Sequence, residues 1–108
     1  MSDGYLVVLC TCPDRDTAVR IAQRLVDERQ AACVNVVPGL LSIYAWEGTR
    51  HQDEEVLLVI KTREEVFQAV QDTVRTLHPY ELPEIIAVEI KDGLRPYLDW
   101  IAGAVTRP

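Results

Sequence analysis

The residues whose types and spacing could do chemistry are two cysteines and one histidine. Cys10 and Cys12 stand two positions apart in an apolar run, so on a β-strand both side chains would point to one face of the sheet. His78 follows an amphipathic helical pattern and opens a His-Pro-Tyr-Glu-Leu-Pro loop, which its two prolines stiffen. Imidazole and thiolate both suit copper and zinc, so His78 together with one cysteine is a candidate soft-metal site.

Each of these residues also has a purely structural interpretation. The spacing of Cys10 and Cys12 is CxC and not the CxxC of redox and zinc sites, and cysteines in apolar strands usually pack as small hydrophobes. For the cysteine pair the sequence favours this interpretation. A histidine at a helix C-terminus can interact with the helix dipole and the last carbonyl groups, which is the structural alternative for His78. No nucleophile motif or histidine–carboxylate motif is present, so we expect a binding protein and not an enzyme.

These candidate residues flank a long stretch, Ala32–Thr62, that reads as one antiparallel hairpin. Its arms, Cys33–Trp46 and Glu55–Thr62, are rich in β-branched and apolar residues, and a polar connection with Gly48 and Asp53 separates them. Within the first arm, a proline followed by a glycine predicts a bulge.

The length of this hairpin predicts an oligomer. At about 3.3 Å per residue, one arm would span roughly 45 Å, whereas a compact chain of this size has a diameter of about 33 Å. The far end, which should overhang the body of the subunit, carries Ile43, Tyr44 and Trp46. Exposed apolar side chains on such strands favour pairing with another chain.

The remaining patterns predict an α+β fold in one domain over residues 1–108. They indicate strands at Leu6–Cys12 and Glu84–Ile90, a helix after Asp14 or Asp16, a helix after the capping box Thr62-x-x-Glu65, and a final helix at Arg95–Ala102. The order is β-α-β-β-α-β plus a C-terminal helix, which with right-handed crossovers gives a split βαβ, ferredoxin-like sandwich. Helices cover one sheet face, and the uncovered face is a second reason to expect an oligomer.

Composition narrows the partners and the compartment. The 108 residues carry 17 acidic and 11 basic side chains, a formal net charge of −6, which argues against binding to nucleic acid. No apolar run approaches the ~20 residues of a membrane span, and the N-terminal residues show no secretory pattern. Three cysteines in apolar runs indicate reduced thiols, so we expect a cytoplasmic protein. Together with the charge and the absence of a long apolar run, this composition predicts no nucleic-acid or membrane partner.

Five segments of the chain resemble the CutA family of divalent-cation tolerance proteins. They are AACVN (31–35), SIYAWEG (42–48), IKT (60–62), HPYELPEI (78–85) and YLDW (97–100), and the resemblance runs from Leu6 to Ile101. It implies the ferredoxin-like fold and a tight homotrimer, similar to the PII signalling proteins, in which the long hairpins join the sheets of neighbouring subunits. It also implies a role in copper tolerance, since some members bind copper(II).

By this resemblance, the ligands proposed for copper fall on Cys10 and His78. Copper-binding relatives can carry two adjacent histidines, whereas this chain has Leu77 before His78, so one ligand of that fuller pattern is missing. Glu84 is a candidate for an oxygen ligand in its place.

Three functional hypotheses follow. The first is a non-enzymatic homotrimer that binds a divalent metal ion, copper above all, and acts in tolerance of or response to it. The second is a PII-like regulatory trimer that binds a small anionic ligand between subunits through Lys61, Tyr80 and Trp46. The third is a mainly structural trimer whose effect on metals is indirect.

Overall fold

Four strands and three α-helices follow one another along the chain in the predicted order. The computed structural model describes residues 4–106, in which the elements are β1 (Tyr5–Cys12), α1 (Arg15–Asp27), β2 (Cys33–Trp46), β3 (Thr49–Arg63), a 3-10 turn (Glu64–Val66), α2 (Phe67–Leu77), β4 (Ile86–Glu89) and α3 (Arg95–Ala104). Over this described range, no helix is long and apolar enough to cross a bilayer.

The four strands form one sheet in the order β2-β3-β1-β4. Every neighbouring pair in it is antiparallel, so β1 and β2 run in the same direction with β3 between them. This is the split βαβ arrangement, and it confirms the mixed α+β class and the order of elements expected from the sequence.

The main core lies between one face of the sheet and helices α1 and α2. Along β1, every second side chain from Leu6 to Cys12 is buried in this core, as the two-residue repeat of a strand requires. Asp14 begins α1 as its N-cap, since its carboxylate accepts the backbone N–H of Thr17 at 2.8 Å. The helices supply the other side of the core with Ile21, Leu25, Val70 and Val74.

The opposite face of the sheet is covered in part, which corrects the expectation that nothing within the chain covers it. Tyr5 precedes the core residue Leu6 and therefore points the other way. It forms a second apolar cluster with Val66 and with the α3 residues Leu98 and Ile101. The C-terminal helix thus covers this end of the second face, while Ile86 and Val88 on β4 are about half exposed.

The long hairpin is present, and its turn is tighter than the sequence suggested. Trp46 pairs with Thr49, so the turn consists of Glu47 and Gly48 alone, with φ of 51° and 78°. Positive φ at both central residues is typical of the type I′ turn, which suits the twist of a hairpin. β3 therefore begins six residues before the predicted Glu55, and Asp53 lies within the strand and not in the connection.

Two local predictions along the hairpin had different outcomes. The bulge is confirmed, because the register of β2 and β3 shifts between Val37 and Leu40, around Pro38 and Gly39. The capping box at Thr62 is wrong: α2 begins at Phe67 without a side-chain cap. Thr62 is buried within β3, one residue before Arg63, which is the N-cap of the 3-10 turn that leads into α2. Its hydroxyl donates to the carbonyl of Gln30 at 2.6 Å.

The turn geometry yields a stability prediction. Replacing Gly48 by alanine forces a Cβ into the left-handed region at φ 78°, which should lower the free energy of unfolding by about 1 kcal/mol. Urea unfolding followed by circular dichroism measures this change. Gly103→Ala is the matched control: it lies in α3 with no atom within 4 Å of the added Cβ, so it should leave stability unchanged or raise it. Equal effects of the two substitutions would contradict the assignment of the turn.

Candidate metal centre

The structure brings the two predicted ligand residues, Cys10 and His78, close to each other and to Cys12. One ligand atom from each of Cys10, Cys12 and His78 lies within 4.8 Å of the others. Both cysteines are 0% exposed and His78 is 7% exposed. The cysteines share this position because they alternate along β1, and the histidine reaches it because α2 ends at Leu77, over the same sheet face. The resulting cluster of two sulfurs and one imidazole is called the Cys–Cys–His cluster below.

Both nitrogens of the His78 ring are engaged by backbone groups. The N–H of Tyr80 donates to Nδ1 at 3.1 Å, so the proton of the neutral ring is on Nε2, which donates to the carbonyl of Thr11 at 2.7 Å. His78 is also the C-cap of α2, and its own N–H donates to Val74. The imidazole therefore joins the Pro-rich loop to β1, and a metal ion at either nitrogen would have to replace one of these two ring hydrogen bonds.

The two thiols of the cluster are electrostatically different. A hydrogen bond between them raises the pKa of the Cys10 thiol and lowers that of Cys12, because the thiol that keeps its proton stabilises the thiolate beside it. Burial and the negative charges of Glu84 and Glu55 raise the pKa of Cys10 further. Cys12 is thus the sulfur that ionises first, and the surrounding carboxylates favour a cation at this position.

The dimensions of the cluster fit a metal ion after a small contraction. Metal–sulfur and metal–imidazole bonds of about 2.0–2.3 Å place three donor atoms roughly 3.5–4.0 Å apart around one ion. The observed limit of 4.8 Å requires the donors to approach one another by about 1.3 Å at most. Within residues 4–106, no Asp, Glu or further His joins this cluster, so the expected oxygen ligand from Glu84 is not placed there.

Glu84 instead faces a groove beside the hairpin. The groove has a volume of about 560 Å³ and is lined by Thr11, Ser42, Ile43, Tyr44, Trp46, Glu55, Tyr80, Glu81, Leu82 and Glu84. Burial, and then the charge of Glu55, raise the pKa of Glu84. Glu55 is buried and accepts the hydroxyl of Tyr80 at 3.0 Å. The pKa of Tyr80 is raised by burial and by this bond.

Lys61 is not part of this groove. Its ammonium group contacts the side-chain oxygen of Asn35, opposite the beginning of β2. Lys61, Tyr80 and Trp46 were expected to hold an anion together. The groove contains Tyr80 and Trp46 but not Lys61, which is the only positively charged residue of the three. With Glu55, Glu81 and Glu84 on its walls, the groove repels anions.

Sequence reasoning missed Cys12 as a candidate ligand and Glu55 as a groove residue. The signal for Cys12 was present, since the CxC spacing predicted that both sulfurs would share a face. It was outweighed because apolar strands commonly bury cysteines without a metal. Cys33, the third thiol, is partly exposed on β2 and is not part of the cluster. Glu55 gave no signal, because only the fold shows that its carboxylate lies under Tyr80.

Comparison with known families gives a match over most of the chain. The family model described as "CutA1 divalent ion tolerance protein" matches residues 6–104. This range includes the whole sheet except Tyr5, and all three residues of the Cys–Cys–His cluster.

Individual relatives agree with this match. A Thermus thermophilus protein named "Divalent-cation tolerance protein CutA" is 52% identical over 95 residues, which are 88% of this chain and 92% of the relative. A protein of Oryza sativa named "Protein CutA 1, chloroplastic" is 45% identical over 89% of this chain, and the chain spans about half of it (54%). The solved structure of a Thermus thermophilus divalent cation tolerance protein superposes with a TM-score of 0.93 at 48% identity, covering 94% of this chain and 99% of that one.

The bond between Tyr80 and Glu55 gives a prediction for the groove. Tyr80→Phe removes the only donor recorded for the buried Glu55 carboxylate within residues 4–106, so the free energy of unfolding should fall by about 1 kcal/mol. Urea unfolding at neutral pH measures it. Tyr97→Phe is the control, since the Tyr97 hydroxyl makes no hydrogen bond within residues 4–106 and is exposed. If Tyr80→Phe left stability unchanged, the bond would not hold the loop on β3.

Proposed function

Because the chain belongs to the CutA1 family of divalent ion tolerance proteins, we propose that it acts in metal tolerance by binding the ion itself, through Cys10 and His78. The observation that supports this proposal is the Cys–Cys–His cluster, in which three soft donor atoms lie within 4.8 Å of one another. Copper is the ion that this donor set suits best among divalent cations, since imidazole and thiolate both rank high for it. The ion is cargo in this proposal and not a catalytic cofactor.

The chain's own residues account for capture and retention. Cys10 loses its proton on binding, since only the thiolate is a metal ligand. His78 binds as the neutral ring and exchanges one backbone partner for the ion. The carboxylates of Glu55 and Glu84 lie close enough to affect Cys10, and their negative potential attracts a cation towards the cluster.

We also propose that the protein is a homotrimer joined through its long hairpins. The end of the hairpin beyond the bulge exposes Leu41, Ile43, Tyr44 and Trp46, with Ile43 60% and Trp46 45% exposed. The chain extends over 44 Å in its longest dimension against 26 Å in the next, as expected if the hairpin overhangs the body. Apolar side chains grouped in this way are typical of an interface between chains. The number three is taken from the family resemblance.

The remaining parts of the proposal concern activity and compartment. We propose a binding protein without enzymatic activity, because the sequence carries no nucleophile motif and no histidine–carboxylate motif. A reducing compartment such as the cytoplasm is consistent with the three free cysteines. The PII-like alternative, with a small anion between subunits, is less favourable, because the groove that holds Tyr80 and Trp46 carries three carboxylates.

Metal binding is tested by anaerobic calorimetry of the reduced protein with Cu²⁺ and Zn²⁺. We expect saturable binding of copper to the wild type and a large loss of copper affinity in Cys10→Ser. We expect a smaller loss in His78→Gln. The Gln amide can still donate to the carbonyl of Thr11, so this variant removes the imidazole while keeping the hydrogen bond that holds the loop to β1. His51→Ala is the matched control, because His51 lies on the hairpin and stacks on Tyr44, outside the cluster. The proposal fails if no copper or zinc ion binds, Cu⁺ included, or if binding is the same in Cys10→Ser and His78→Gln as in the wild type.

The trimer is tested by light scattering coupled to size exclusion. Ile43→Asp and Trp46→Asp each place a charge where apolar side chains would be buried, which is strongly unfavourable. We expect the mass to fall from three chains towards one and the melting temperature to fall with it. Val26→Asp is the control, because Val26 is also exposed but lies on α1, away from the hairpin. A wild-type chain that is a stable monomer at micromolar concentration would refute the trimer.

A further inference from the structure

We propose that Cys12 is the second principal ligand of the metal site, and that the Cys10–Cys12 sulfur pair selects copper in its monovalent state. The inference rests on the proposed function, to which it adds a ligand and the valence of the bound ion. The observations that carry it are the position of the two sulfurs, the hydrogen bonds of His78, and the absence of a fourth donor from the cluster within residues 4–106.

A metal ion would have to replace stronger hydrogen bonds to bind the imidazole than to bind the two sulfurs. The hydrogen bonds of the sulfurs are weak thiol contacts, since Cys10 shares one with Cys12 and lies 3.8 Å from the carbonyl of Thr11, and both cysteines are free thiols. His78, in contrast, has a backbone partner on each ring nitrogen, at 2.7 Å and 3.1 Å. A metal ion at the two sulfurs displaces no strong hydrogen bond, whereas one at the ring displaces a buried one. The ion is therefore held mainly by Cys10 and Cys12, with His78 as the weaker third ligand.

Coordination number favours a monovalent ion. Zinc takes four ligands in proteins, and its open sites complete this number with water. Copper(II) prefers a tetragonal arrangement of nitrogen and oxygen donors. The cluster offers three donors, and both cysteines are 0% exposed, so water has no access to complete a fourth position from their side. Copper(I) is a soft ion that thiolates select and that accepts low coordination numbers.

A disulfide is the other chemistry that two neighbouring thiols allow, and the strand geometry disfavours it. Residues two apart on a β-strand lie about 6.6–6.8 Å apart between their Cα atoms, at the upper limit for a disulfide. β1 is held in this extended form because it pairs with β3 along its whole length, from Tyr5 to Cys12. The pair is thus spaced for an ion between the sulfurs and not for a bond between them.

The test is anaerobic competition for Cu⁺ between the reduced full-length protein and bicinchoninate, read from the absorbance of the chelator complex. We expect Cys12→Ser and Cys12→Ala to lose more than about 100-fold in Cu⁺ affinity, above the effect of a residue outside the ligand shell. His78→Gln should lose about 10-fold. Cys33→Ser, which removes the one thiol outside the cluster, should bind as the wild type does.

X-ray absorption of the copper-loaded wild type gives a readout that does not depend on whether a variant folds. We expect the edge of monovalent copper and two sulfur neighbours. A divalent edge with nitrogen and oxygen neighbours, or an unchanged Cu⁺ affinity in folded Cys12→Ser, would overturn the inference. If Cu²⁺ or Zn²⁺ still bound through Cys10 and His78, the proposed function would stand without it. If no ion bound in any state, both would fall.

Discussion

The alternation of side chains along β1 is the constraint on which the rest of the structure depends. β1 is paired on both sides, with β3 and β4, so its register and its two faces are determined by backbone hydrogen bonds on each edge. One face carries Leu6 to Cys12 into the core, and with them the two thiols. The other face carries Tyr5 to the cluster under α3 and Thr11 to the groove. A slip of one residue would exchange these faces and remove both features together.

His78 connects the two faces. Its ring receives the N–H of Tyr80 and donates to the carbonyl of Thr11, while the Tyr80 hydroxyl reaches Glu55 on β3. The cluster and the acidic groove therefore share the Pro-rich loop as a common wall. A metal ion at Nδ1 would replace the bond from the N–H of Tyr80, a residue that also lines the groove beside the hairpin. Ile43, Tyr44 and Trp46, which we propose as part of a trimer interface, also line this groove.

Most of the fold was predictable because it depends on local patterns. The strand of Leu6 to Cys12, the helix after Asp14, and the bulge at Pro38-Gly39 each follow from a repeat or from a residue with restricted backbone angles. The failures also have physical causes. The Thr62 box has the correct spacing, but β3 continues through Thr62 to Arg63, which is the residue that caps the following turn. The sequence predicts a connection up to Glu55, because the residues before it are polar. They lie in β3 instead, and polar residues on an exposed strand cannot be distinguished in sequence from those of a loop.

The sequence by itself determined the α+β order of elements, the shared face of Cys10 and Cys12, and the apolar hairpin tip, because these follow from periods of two and 3.6 residues. The sequence also shows the family resemblance that implies Cys10 and His78 as ligands for copper. Only the tertiary structure decided that His78 lies within 4.8 Å of both sulfurs, since 66 positions separate it from Cys12 and no local pattern encodes that distance. The same holds for the two backbone partners of its ring, one of which a metal ion bound to the imidazole would have to displace.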